Sequence, residues 1–290
     1  MTQIGANVRD SACAAEQAAI ETKNAIEAGA RIIIGLPCVE ALDAAAAQIA
    51  SLKSDTIILA LGVQLAGTIS SVYKIAPPAE QEAETIANYI GQNWRNVNFA
   101  IIEDGTLYGR QLAETVRFLL AENNLTPVFT DTYRPLLDRQ SGLVRRIAKA
   151  GATHVFIGGD AYDVSIIAQD AAALGIDLKF AGGSALRAPK DEGTLPDGAI
   201  FTAVDVMSFE VANQKYEGYA ALTFVAKTIA DQALSRAKGN RTTVSDAISD
   251  FDFETPIGPI RFNQARENDR AWFDIFNVQD GKFIKLDRKN

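Results

Sequence analysis

The sequence predicts an α/β fold of two lobes, each built on a parallel sheet with helices on its faces. Three observations carry this. Short apolar runs alternate with stretches of helical spacing up to about residue 250. The alternation breaks once, over Gln64–Pro78, in an irregular stretch that ends in Pro77-Pro78 and reads as a crossing between lobes. Toward the C-terminus the pattern changes to closely spaced strands with a hairpin signal. A length of 290 residues suits two domains or one large one.

The elements follow in order. Ile4–Val8 reads as a first, weak strand. Residues 12–28 place Ala15, Ala18, Ala19, Thr22, Ala25 and Ile26 on one helical face, and Gly29 follows as a stop. Ala30–Gly35 reads as a short buried strand. Residues 40–52 form a helix through Leu42, Ala45, Ala46, Ile49 and Leu52, and Thr56–Gly62 is the next strand. This β-α-β-α-β rhythm requires crossovers, hence parallel pairing. After the break, helices are expected over 80–92, 109–123, 141–150 and 162–174. Strands are expected over Val97–Ile102, Pro127–Thr132, His154–Gly158, Leu178–Ala181 and Gly198–Val204. A long helix covers about 212–236 and a short one 243–250. Gly258–Phe262 and Ala271–Val278 read as strands, and Asp280-Gly281 is a turn signal before Phe283–Leu286.

Composition excludes several function classes. Apolar residues make up 48% and charged residues 22%, enough for a packed core. The net charge of -8 argues against nucleic acid or anionic membrane as a partner. Runs such as Ile32–Ile34 and Ile57–Leu61 are far too short to cross a bilayer. The single histidine, His154, begins an apolar strand and reads as structural; a His-based triad or a multi-His metal site is not expected. The N-terminus, MTQIGANVRD, lacks the basic-then-apolar order of a signal peptide.

In open α/β sheets ligands bind beyond the carboxyl ends of the strands. The segments that follow the strands are Leu36–Glu40, Gly62-Val63-Gln64, Glu103–Gly109, Gly158–Asp163 and Gly182-Gly183-Ser184. None is a GxxxxGK[ST] loop, a GxGxxG after a strand, or a GxSxG elbow, so an enzyme is disfavoured and no cofactor is expected. Their glycines let the backbone turn and present N–H groups suited to a carboxylate. Tyr108, Asp160, Tyr162 and Ser184 supply an aromatic wall and polar anchors, although Asp104-Gly105 and Gly158-Gly159-Asp160 are equally ordinary turn and N-cap chemistry. Cys13 and Cys38 each follow an expected strand at the same sheet edge. They read equally as a disulfide in an oxidising compartment or as two free thiols.

These residues suggest a family. Arg9-Asp10-Ser11-Ala12-Cys13, Ile34-Gly35-Leu36-Pro37-Cys38, Leu107-Tyr108-Gly109, Val155-Phe156-Ile157-Gly158-Gly159, Ala181-Gly182-Gly183-Ser184 and Thr255–Phe262 occur in an order that resembles the type I periplasmic substrate-binding proteins of ABC transporters, the leucine/isoleucine/valine-binding group. The resemblance implies two Rossmann-like lobes joined by three crossings, with residues 1–76 plus 206–268 as the N-terminal lobe and 77–205 plus 269–290 as the C-terminal lobe. It implies a Cys13–Cys38 disulfide and a periplasmic monomer with no metal or cofactor. That monomer would bind a small branched-chain-like amino acid, or a related carboxylate, in a cleft between lobes and deliver it to an ABC permease. By position, Val39 and Glu40 form the first contact loop, Gly62, Val63 and Gln64 the second, and Tyr108, Asp160 and Ser184 contribute from the other lobe.

Three departures accompany the resemblance. Val39 stands where the carboxylate-binding hydroxyl is usual. Ser184 stands where amino-acid binders carry an acid for the ammonium group, and Asp160 is the expected compensating charge. The family's first strand, central between 4–8 and 30–35, is expected to be missing from the N-terminal lobe along with its helix. The alternative function keeps the fold and makes the chain a ligand-sensing module without a transport role.

Overall fold

The structure, a computed structural model, describes residues 7–62, 68–188, 193–204 and 208–287. The chain divides into two compact units. Unit 1 is Met1–Pro78 with Val206–Arg270, and unit 2 is Ala79–Asp205 with Ala271–Asn290.

Unit 1 opens with α1 (Ala15–Glu27), β1 (Ile32–Gly35), α2 (Val39–Ser51), β2 (Ile57–Ala60) and β3 (Val72–Lys74). The three strands form a parallel sheet in the order β1-β2-β3. β2 is fully buried, and its side chains alternate between two cores. Ile57, Leu59 and Leu61 face one, while Ile58 and Ala60 join Leu42, Ala45 and Ile49 of α2 in the other. The expected buried strand at 30–35 is β1, yet all four of its residues are only half-buried. Among the described residues β1 pairs with β2 alone, so one of its edges has no ladder. Of the expected strand Ile4–Val8, residues 4–6 lie outside the described residues, and Asn7 and Val8 carry no strand. The stretch 64–78 is not wholly irregular: β3 lies within it. Val72 and Tyr73 are buried there, and the nearby prolines masked a three-residue strand too short to show a period.

Unit 2 begins with α3 (Ala79–Asn93), β4 (Phe99–Glu103), α4 (Leu107–Glu122), β5 (Phe129–Thr132), α5 (Ser141–Lys149), β6 (His154–Gly158), α6 (Ala161–Ala173), β7 (Lys179–Gly182) and β8 (Ile200–Val204). These match the expected elements to within about two residues, the usual spread at element ends. The inner strands feed both faces of the sheet, whereas at the edge strand β5 only Phe129 packs on a core and Thr130 and Thr132 are exposed. Val155 and Ile157 point into one core with Val144 and Ile167, and Phe156 points into the other with Ile86, Ile90 and Val116. His154 is structural: its ring lies 5.0 Å from that of Trp94, and burial, then Lys179, pushes its pKa down.

The chain then returns to unit 1, where the sequence reading needs correction. The helix expected from 212 starts at 218. Before it come β9 (Ser208–Val211) and β10 (Gln214–Glu217), an antiparallel hairpin, and only then α7 (Gly218–Asn240). Ala212 and Asn213 both take positive φ, the signature of a two-residue hairpin turn, and the Phe209 ring stacks on Tyr216 at 5.7 Å. α8 (Val244–Ile248) follows. Gly258–Phe262 is not a strand; it makes only isolated bridges, Phe253 to Ile260 and Phe262 to Asn268. Asn268, 2% exposed, donates from Nδ2 to the carbonyls of Lys74, Ile75 and Ala76.

Unit 2 ends with β11 (Phe273–Gln279) and β12 (Lys282–Lys285), joined at Asp280-Gly281, both of positive φ. They extend the sheet antiparallel, giving the order β12-β11-β8-β7-β6-β4-β5. The remaining five strands are parallel.

Candidate functional site

From β4 the chain goes to β5 on one side, then returns to β6, β7 and β8 on the other. The carboxyl ends of β4 and β6 therefore flank the topological switch point of the unit 2 sheet, where a crevice opens in such folds. Their two loops are pressed together. Asp104 N–H donates to Gly158 O at 3.0 Å, and a Cβ on Gly109 or Gly158 would collide with the opposite backbone. Only glycine fits both positions.

Each loop is organised by its own polar residues. Asp104 accepts from Thr106 N and Oγ1 at 2.9 and 2.6 Å, and Thr106 caps α4 by accepting from Gly109 N at 3.0 Å. Asp160 caps α6, accepting from Asp163 N at 2.9 Å. Asp163 is completely buried. Its Oδ1 accepts from Leu136 N at 2.9 Å, while Oδ2 and the hydroxyl of buried Tyr133 form no well-aligned hydrogen bond among the described residues. Burial first, and then the charges of Asp160 and Asp104, raise the Asp163 pKa, although the Leu136 N–H and the Tyr133 hydroxyl oppose them. Burial and then Asp163, Asp104 and Asp160 push the Tyr133 hydroxyl up.

At the end of β7 the structure joins two of the expected site residues and adds a third. Tyr108 Oη lies 3.4 Å from Ser184 Oγ. Between them comes Glu82 from the first turn of α3. Its Oε1 accepts from Ser184 N at 2.6 Å and from Tyr108 Oη at 2.7 Å. Burial, then the Glu82 carboxylate, raises the Tyr108 pKa well above its usual range. The carboxylate beside Ser184 is thus Glu82, while Asp160 is engaged in its cap. Sequence reading missed Glu82. The signal was present, because Glu82, Ile86 and Ile90 are spaced by four and the acid heads the apolar stripe of α3.

In unit 1, Val39 and Glu40 open α2 at the carboxyl end of β1, and both are exposed. Cys38 is the N-cap of α2 and is bonded to Cys13, with Cα atoms 5.5 Å apart. Gly62 follows β2, and the Tyr219 ring from the start of α7 lies against it, so that a Cβ there would meet the Tyr219 hydroxyl. Val63 and Gln64 lie outside the described residues. Among the described residues no group of three or more His, Cys, Asp or Glu is placed to hold a metal, and no helix is long and apolar enough to cross a membrane.

The family model for periplasmic binding proteins matches residues 2–282. The chain belongs to the periplasmic binding protein family. This is a family of solute-binding proteins rather than enzymes. Among relatives of this periplasmic binding protein is Leu/Ile/Val-binding protein homolog 3 of Brucella melitensis, 25% identical over 236 residues. That alignment takes in 76% of this chain, but this chain spans only 64% of the relative's length. Two solved structures share the fold. One is a putative branched-chain amino acid ABC transporter protein from Rhodospirillum rubrum, with TM-score 0.75 and 17% identity over 96% of this chain and 86% of that one. The other is an ABC transporter substrate-binding protein from Desulfitobacterium hafniense in complex with Leu, with TM-score 0.68 and 18% identity over 96% and 87%.

Proposed function

We propose that this periplasmic binding protein is the substrate-binding component of an ABC importer, taking a small branched-chain-like amino acid to its permease in the periplasm. The observation that carries the reading is the meeting of Tyr108, Ser184 and Glu82 at the carboxyl end of β7, beside the switch point. It places an aromatic ring, a hydroxyl and a carboxylate at one sheet edge. Such a combination of an apolar wall with few polar groups suits a small zwitterion. The names of the relatives, Leu/Ile/Val-binding and branched-chain amino acid transport, support the same ligand class. The residues assigned to the ligand are Val39, Glu40, Gly62, Val63 and Gln64 from unit 1, and Tyr108, Asp160 and Ser184 from unit 2. Calorimetric titration of the chain with the twenty amino acids tests this. Saturable binding of leucine, isoleucine or valine is expected, and a chain that binds none of the twenty refutes it.

A further inference from the structure

We infer that Glu82 is the carboxylate that receives the positively charged nitrogen of the ligand, and hence that the ligand carries an amine and is not a simple organic acid. This rests on the binding role proposed above and names the group that selects within it.

Glu82 is only 9% exposed. A largely buried carboxylate is penalised unless hydrogen-bonded. Here one oxygen is bonded, while the other is not sealed from solvent and can be reached by a ligand. Both hydrogen bonds it makes, from Ser184 N and Tyr108 Oη, go to Oε1. Oε2 has no hydrogen bond among the described residues, and no lysine or arginine pairs with it there. One oxygen is therefore fixed and the other is left with its full acceptor capacity.

The arrangement is built, not incidental. A Cβ on Gly183 would collide with Glu82 Oε1, Tyr108 Oη and Leu112 Cδ2, so residue 183 must be glycine for the three groups to meet. Tyr108 spends its proton on Glu82, so its hydroxyl is not free to donate to a ligand carboxylate. What remains is the ring face of a side chain 37% exposed, a surface that suits a cation. At the ends of β4 and β6, Asp104 and Asp160 also form no ion pair among the described residues, and Arg110, the arginine in contact with the β4 loop, is engaged with Gly105 O. An ammonium would complete Glu82, whereas a ligand offering only a carboxylate would meet its negative charge.

The test uses the full chain and three probes: leucine; 4-methylpentanoate, which is leucine without the amine; and 3-methylbutylamine, which is leucine without the carboxylate. Each is titrated calorimetrically into the parent and Glu82→Gln. Glutamine keeps an acceptor oxygen for Ser184 and Tyr108 and removes the charge. The parent should prefer leucine to 4-methylpentanoate by at least about thirty-fold, the scale of a buried charge pair that loses one partner. In Glu82→Gln, leucine should weaken by a similar factor, 4-methylpentanoate should hold or improve, and the unligated unfolding midpoint should stay near the parent's. Equal leucine affinity in parent and variant overturns the assignment. So does a parent that does not distinguish leucine from 4-methylpentanoate, which leaves the binding role standing. A variant with a much lower midpoint that loses both ligands alike makes Glu82 structural and also overturns it. A parent that binds none of the three refutes this inference together with the amino-acid reading.

Discussion

Asp163→Asn should stabilise unit 2 at neutral pH. Asp163 is completely buried, with Oδ1 bonded to Leu136 N, while Oδ2 and the Tyr133 hydroxyl beside it form no well-aligned hydrogen bond among the described residues. Asparagine keeps the acceptor for Leu136 and puts an N–H donor where Oδ2 stood, within reach of Tyr133. An unsatisfied buried polar atom costs about 1–3 kcal/mol. Against this, a negative charge in the first turn of α6 is favourable by about 0.3–1 kcal/mol, and asparagine forfeits it. The net expected gain is about 1–2 kcal/mol at pH 7. The gain should depend on pH in a definite sense. Burial raises the Asp163 pKa in the folded chain above its ordinary value. The parent's native state therefore holds a proton that its unfolded state gives up. That contribution is fully present below about pH 4 and is lost as pH rises through the raised value. Asparagine does not titrate, so the gap between variant and parent should be small near pH 4, open with rising pH and then level off. Urea unfolding followed by tryptophan fluorescence reads unit 2 directly, because both tryptophans, Trp94 and Trp272, are buried there. A variant less stable than the parent at pH 7, or a gap that does not change with pH, refutes the reasoning.

Other outcomes follow from the same geometry. Thiol titration of unfolded, unreduced chain should find no free thiol, and reduction should cost about 3 kcal/mol, the loop-closure value for a separation of 25 residues. Gly183→Ala should destabilise unit 2 by about 1–3 kcal/mol, as overpacking does, because its Cβ strikes Tyr108, Glu82 and Leu112; an unchanged urea midpoint would contradict this. Asn268→Ala should lower unit 1 stability by about 1–3 kcal/mol, since it leaves the Lys74, Ile75 and Ala76 carbonyls without their buried donor. Far-ultraviolet circular dichroism against urea would measure that loss.

Much of this was legible from hydrophobic period. The helices and strands of unit 2 stand where apolar spacing puts them, because the inner strands there pack on both faces and the helices on one. The loops after β4, β6 and β7 were legible from glycine and aspartate placement. The hairpin 208–217 was not. Its aromatic residues, Phe209 and Tyr216, pack on Phe224 at the start of the long helix, and so they blend into that helix's apolar pattern. Glu82 could be read as the acid heading the α3 stripe, but the partners it meets could not. It is 26 residues from Tyr108 and 102 from Ser184, and local spacing says nothing of such meetings. The pairing of Cys13 with Cys38 stayed open on residues alone, because two cysteines at one sheet edge fit either redox state.

The division of the chain between its units has a consequence for biosynthesis. Unit 1 breaks off after Pro78 and resumes at Val206, while unit 2 resumes at Ala271. A ribosome adding about 5–20 residues per second therefore needs roughly 6–25 s to make the stretch from Ala79 to Asp205. Throughout that interval the β1-β2-β3 sheet exists without α7, whose Val225, Ala226, Ile229 and Ala233 cover Ile57, Leu59 and Tyr73 in the finished molecule. The nascent chain carries this bare apolar face for all of that time, and such transiently exposed surface is prone to aggregate. Unit 2 in turn cannot complete its sheet until β11 and β12 have been made, and these follow the whole of unit 1.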